Sequence, residues 1–243
     1  MAVIEICLDC DDRALLVHNL DKVYQAGAQR IELCGAMSDD GLTPDIDAVK
    51  LARRTFATRA GVLVMIRPRA GDFYYDADEI ELMVAQIKSA ATAGADGVVF
   101  AVLERDQSEQ PCFNLSAMTR LVAVARSLKL QVSCHRGFDV LENRELALQQ
   151  LIALGIDRVL TTGSLWGESC KAIDNIQSLR RIIQLSQKQI EVVIAGGITP
   201  AMAQEIAQQL SDLQGDISLH AFSGVLTSNK INSDAVQALV NLS

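Results

Sequence analysis

The chain has 243 residues, of which 49% are hydrophobic, and carries a net charge of −8 with a pI near 4.9. Such a length and apolar content bury a sizeable core and match the ~250 residues typical of a (β/α)8 barrel. The acidic balance, with no run of Lys or Arg, excludes the basic footprint of a nucleic-acid binder.

The start, MAVIEICLDCDD, has no basic region and turns acidic at once, unlike a secretory signal. No apolar run approaches the ~20 residues that span a membrane. The expectation is a cytoplasmic protein, with no membrane or nucleic-acid partner, whose six cysteines are mostly free thiols. A first strand is predicted near 3–8 and carries Glu5 and Cys7; a helix follows at about 11–26, with His18 on its surface. The second unit, a strand at 30–34 and a helix at about 44–58, brings Glu32 and Cys34 and opens its helix at Thr43-Pro44. The third strand, 62–67, ends in Arg67, then Pro68, Arg69 and Asp72. Its helix, about 77–93, has apolar residues at 80, 83, 84 and 87, a helical spacing. The fourth unit is a strand at 97–102 and a helix at about 114–128. The fifth strand, 130–135, runs into Ser133, Cys134, His135, Arg136 and Asp139, with a helix at about 142–154. The sixth, 157–161, ends at Thr161 and Thr162, followed by a helix at about 174–187. The seventh, 190–195, is followed by Gly196 and Gly197 and a helix at 200–213 that Thr199-Pro200 opens. The eighth, 216–220, ends in His220 before a last helix at about 232–241.

Three stretches, AGAQRIELC, AGADGVVFAV and LGIDRVLTTG, repeat one grammar: a helix closed by Gly27, Gly94 or Gly155, a short turn, and a β-branched run. Strict alternation of strand and helix, eight times and with no linker, predicts a single (β/α)8 barrel, one domain over 1–243. In that fold the C-terminal strand ends build the functional face. Strand side chains alternate faces, so Glu5 shares a face with Cys7, and Glu32 with Cys34. Pointing inward on neighbouring strands, they bring two carboxylates and two sulfurs together at one mouth. Buried carboxylates need partners, and Arg67, Arg136 and His135 are the expected ones. An internal salt-bridge network that only fills the barrel is the alternative. The same alternation separates His135 and Ser133 from Cys134, which is expected to pack outward against helices.

The motifs IEIC (4–7), RIELC (30–34), GLTP (41–44), VMIRPRAGDFYYDADEIELM (64–83), GADGVVFAVL (94–103), CHRGFD (134–139) and GIDRVLTTG (155–163) resemble those of the CutC family, linked by name to copper homeostasis. The resemblance implies a cytoplasmic (β/α)8 barrel, a homo-oligomer, and copper binding at the cysteines of the first two motifs, here Cys7 and Cys34. Ala70 and Gly137 stand where the family usually has Gly and Ala, and the segment after His220 is shorter than usual.

Three functions remain open. The first is copper binding: Cu(I) is soft and prefers thiolates, which Cys7 and Cys34 supply, with Cys10 completing a C-x-x-C of modest weight. The second is an enzyme of lyase or isomerase type acting on a small anionic molecule. Arg67, Arg69, Arg136, His220 and the Gly196-Gly197 turn then bind the anion. His135, Glu5 and Glu32 carry protons, and Asp139 orients an Arg or the His. The Gly pair is equally readable as a tight turn only. The third is a non-catalytic scaffold whose barrel face binds a metabolite or a partner protein.

Overall fold

The computed structural model describes residues 3–242; residues 1–2 and 243, the ends of the expected 1–243 domain, lie outside the described residues. Eight parallel strands close into a barrel: β1 (Val3–Asp9), β2 (Arg30–Cys34), β3 (Val62–Met65), β4 (Gly97–Val99), β5 (Gln131–Cys134), β6 (Arg158–Thr161), β7 (Glu191–Ile194) and β8 (Ile217–Ala221). Each is followed by a helix: α1 (Arg13–Gln25), α2 (Ile46–Phe56), α3 (Ala77–Thr92), α4 (Leu115–Ser127), α5 (Arg144–Ala153), α6 (Ile176–Ser186), α7 (Pro200–Gln209) and α8 (Ser233–Val240). The fold is a (β/α)8 TIM barrel. No helix among the described residues is long and apolar enough to cross a membrane.

Local chemistry sets the joints. Gly27, Gly94 and Gly155 have φ of +85°, +95° and +69°, the left-handed turn that ends α1, α3 and α5. Thr199 caps α7 by accepting from Met202 N, with Pro200 at its first position. Helix α2, however, is capped by Asp45, which accepts from the Asp47 N–H, not by Thr43. Thr43 Oγ1 instead accepts the Arg67 N–H at 2.8 Å, so it joins the β2 loop to the end of β3. The strand expected at 97–102 stops at Val99, and the chain then forms a hairpin of Leu103–Arg105 with Pro111–Phe113.

Alternation divides the core in two. Outward side chains such as Ile4, Ile6, Leu8, Ile31, Leu33 and Cys134 join the helices in one large apolar cluster. The interior holds two small apolar groups: Cys7, Cys34, Leu63, Met65 and Val99, and Leu160, Val193 and Ala195. Below them, toward the N-terminal strand ends, the interior is charged. Arg30 pairs with Glu5 (2.6 Å) and Glu191 (2.6 Å), and Arg158 with Glu191 (3.2 Å). Ser218 and Ser133 accept further hydrogen bonds from the two arginines. Two cations face two anions, so this layer is electrically closed and supports the barrel from within.

Candidate functional site

A cavity of about 270 Å3 opens at the C-terminal mouth and is lined by Cys7, Glu32, Cys34, Arg67, His135, Arg136 and His220 among the expected residues. Met37, Asp40, Met65, Phe73, Leu160, Trp166 and Phe222 complete it. Strand register explains the gathering: Cys7 sits opposite Glu32, and Glu5 opposite both Arg30 and His220.

One wall is sulfur and carboxyl. The Cys7 and Cys34 sulfurs lie 3.9 Å apart, and Met37 Sδ lies 3.9 Å from Cys7 Sγ. Met37 comes from a short 3-10 turn, Met37–Asp39, held between Ala36 and Asp40, both left-handed. Cys34 Sγ is 3.3 Å from Glu32 Oε1, and Cys7, Glu32 and Cys34 converge as closely as metal ligands do. His220 Nδ1 hydrogen-bonds Glu5 Oε1 at 2.6 Å and stands 3.9 Å from Glu32.

These groups tune one another. The hydrogen bond between Cys7 and Cys34, against the opposing effect of burial and with help from His220, brings Cys7 down to about 6. Cys34 is driven well above the usual thiol range by its bond to Cys7 and by burial. Burial pushes Glu32 up to about 8, with His220 opposing. Burial disfavours charge on His220, but hydrogen bonds to Cys7 and Glu5 and the nearness of Glu32 overcome it and hold the ring protonated. Glu5 is buried too, yet Arg30 and then His220 bring it down to about 2.

The other wall is cationic and aromatic. Arg67 is buried, and its guanidinium donates to the carbonyls of Asp39, Gly41 and Gly71. It lies over the Phe73 ring, 5.1 Å from the centroid, and Phe73 meets His135 at 4.8 Å between centroids. Burial, then Arg67, lower His135 to about 3. Its Nδ1 accepts from the Gly137 N–H, so at neutral pH the ring is an uncharged donor through Nε2 rather than a base. Arg136 stacks on Trp166 at 4.9 Å and is held by Asp139 at 3.0 Å.

Several expectations are corrected here. Arg67, Arg136 and His135 do not pair with the inward glutamates; Arg30 and His220 do, because Arg30 shares a strand face with Glu32 and registers opposite Glu5. Asp139 keeps its expected orienting role: wholly buried, it holds Arg136, but it does not line the cavity. Arg69 turns outward and ties its loop to Asp72 and Glu79. Gly196 and Gly197, at φ of +109° and +73°, form a tight turn that does not line the cavity. A Cβ on Gly196 would stand 2.8 Å from Thr162 Cγ2, so the residue serves close packing. Cys10 faces the outer apolar cluster, and burial raises its thiol; C-x-x-C is therefore not a ligand pair. Sequence reasoning missed Met37, Met65, Phe73, Trp166 and Phe222. Met65 was available from alternation, two residues before Arg67; Met37 sits in a loop, where no periodicity points to a face.

Fold and site together define a (β/α)8 barrel protein with a thiol-bearing cavity at its C-terminal mouth. The sequence model of the CutC family matches residues 2–222, and the chain belongs to that family. It is 35% identical over 208 residues to a human copper homeostasis protein cutC homolog, covering 85% of this chain and 69% of the human protein. A family protein CutC of Vibrio atlanticus is 35% identical over 206 residues, 84% of this chain and 76% of that one. Among solved structures, a putative copper homeostasis protein CutC from Streptococcus agalactiae superimposes with a TM-score of 0.75 at 26% identity, covering 90% of this chain and 98% of that one. The deoxyribose phosphate aldolase of Aeropyrum pernix, at 16% identity and a TM-score of 0.63, shares the fold.

Proposed function

We propose that the sulfur wall of the mouth binds copper as Cu(I), with copper as cargo in homeostasis. The observation that carries this reading is the meeting of Cys7, Cys34 and Met37, three soft donors around one buried point, with 3.9 Å separating Cys7 from each of the other two sulfurs. Soft thiolate and thioether ligands select Cu(I) over harder ions. Cys7 already carries thiolate character, and Met37 supplies a neutral third donor. The relatives' names support the same cargo. The site needs reduced thiols, which a cytoplasmic setting maintains.

The test is an anaerobic Cu(I) titration against a competing chelator. The wild-type chain is expected to take up one Cu(I), and Cys7→Ser with Cys34→Ser to abolish it; uptake unchanged in the double variant rules out this site.

A second reading, acid–base chemistry of lyase or isomerase type on a small anionic substrate, is favoured by one feature. Glu32, raised to about 8, and Cys7, lowered to about 6, form an acid and a base with their pKa values pushed apart in one cavity. Turnover lost in Glu32→Gln while Cu(I) uptake persists is the outcome that would separate the two readings.

A further inference from the structure

We propose that the wall opposite the sulfurs is a binding site for a small monocarboxylate, held by Arg67 and by the Nε2–H of His135. This names the substrate class for the second reading and does not depend on copper.

The first observation is a buried charge without a counter-ion. Arg30 and Arg158, the other buried arginines of the barrel, each meet a carboxylate. Arg67 is only 2% exposed, yet among the described residues its guanidinium hydrogen-bonds three neutral carbonyls and no carboxylate. Burying an unpaired cation costs several kcal/mol, roughly, even when it is hydrogen-bonded. Such a group is complete only with an anion.

The second observation is a buried donor without an acceptor. His135 is 3% exposed. Its Nδ1 accepts from Gly137 N at 3.0 Å, which leaves the ring proton on Nε2, and among the described residues that N–H has no partner. Buried polar groups are normally satisfied, and an exception calls for a ligand atom. The ring's neutrality follows from burial and from Arg67 beside it, so Nε2 can only donate.

The two groups line the same cavity and flank one ring, Phe73. One cation and one neutral N–H match the single charge and paired oxygens of a carboxylate. A phosphate ester would bring a second negative charge with no second unpaired cation among the described lining residues, since Arg136 is paired with Asp139 and His220 with Glu5. Of the remaining lining, Leu160 and Trp166 are apolar or aromatic, Met65 and Phe222 pack with the cysteine pair, and Asp40 is acidic, so the carboxylate carries a short apolar body. The volume of about 270 Å3 lies at the small end for ligand pockets and sets the size.

The experiment is a thermal-shift and calorimetric titration of the full chain with acetate, pyruvate and benzoate at constant ionic strength. Acetamide and benzamide serve as neutral counterparts, and inorganic phosphate as the competing anion. At least one carboxylate is expected to raise the Tm in a concentration-dependent way, because it binds the folded state alone. The amides are expected to leave it unmoved. His135→Phe is expected to weaken the carboxylate by at least about tenfold, the loss of one hydrogen bond to a charged acceptor. Carboxylate binding and Cu(I) uptake are read separately on the same wild-type protein, which separates failure here from failure of the copper reading. No shift with any of the three carboxylates, equal shifts with the amides, or tighter binding of phosphate would overturn the proposal. Should His135→Phe not fold, a crystal of the wild-type protein soaked in the tightest carboxylate decides: density within hydrogen-bond reach of His135 Nε2 supports the site, and its absence there overturns it.

Discussion

At the residue scale, small differences in surroundings give chemically similar groups opposite roles. Cys7 and Cys10 stand three residues apart, yet one is drawn down to about 6 by Cys34 and His220 while burial raises the other beyond the ordinary thiol range. Met37→Leu keeps volume but replaces a soft sulfur by carbon. It is expected to weaken Cu(I) binding roughly ten- to a hundredfold in a chelator competition, as loss of a supporting group at a metal site does. His135 carries a consequence for stability. Its folded pKa of about 3 lies below the ordinary 6.5, so as the pH falls the unfolded chain takes a proton that the folded ring refuses. The contribution is intact above about 6.5 and is lost toward 3, by up to about 1.4 kcal/mol for each pH unit crossed. Urea unfolding of wild type and His135→Phe across that range is expected to show a wild-type advantage that shrinks with acidity. A constant difference would contradict a neutral buried ring.

At the element scale, alternation along each strand decides what the barrel holds. Strand β2 places Arg30, Glu32 and Cys34 inward in ascending order: one for the charged layer, one for the acid beneath the mouth, one for the sulfur wall. The meeting of Glu32 with two sulfurs at one mouth was legible from this period of two, as were the outward turn of Cys134 and the helix stops at Gly27, Gly94 and Gly155, whereas Glu5, expected beside them, joins the charged layer below. The partners of the glutamates were not. Arg67 and Arg30 both satisfy the parity, and only strand stagger, which no single sequence displays, puts Arg30 against Glu5. Loop residues were the other blind spot: Met37, Phe73 and Trp166 reach the cavity through turns with no period. The charged layer gives a prediction of its own. Arg30→Met leaves Glu5 and Glu191 without their shared cation and is expected to destabilise the barrel by about 3–5 kcal/mol in denaturant unfolding. Adding Glu5→Gln to it should recover part of that loss; a further equal loss would contradict the pairing.

At the scale of the whole molecule, the barrel separates support from chemistry along its axis. The ion pairs of Arg30, Arg158, Glu5 and Glu191 brace the interior from below, and the cavity above them has two walls of different character. One offers sulfur and a carboxyl; the other offers a cation and an N–H that are unpaired among the described residues. Because strands β1 and β2 fix the two cysteines, Cu(I) binding is expected to raise the Tm without altering the fold, and the gain to vanish in the double cysteine variant. The central claim is that three sulfurs hold the metal, and the X-ray absorption spectrum of the one-to-one Cu(I) protein tests it most directly. The expected first shell is sulfur alone, three scatterers in the wild type and two in Met37→Leu. A shell of nitrogen or oxygen, or a spectrum unchanged by Cys7→Ser with Cys34→Ser, would contradict it.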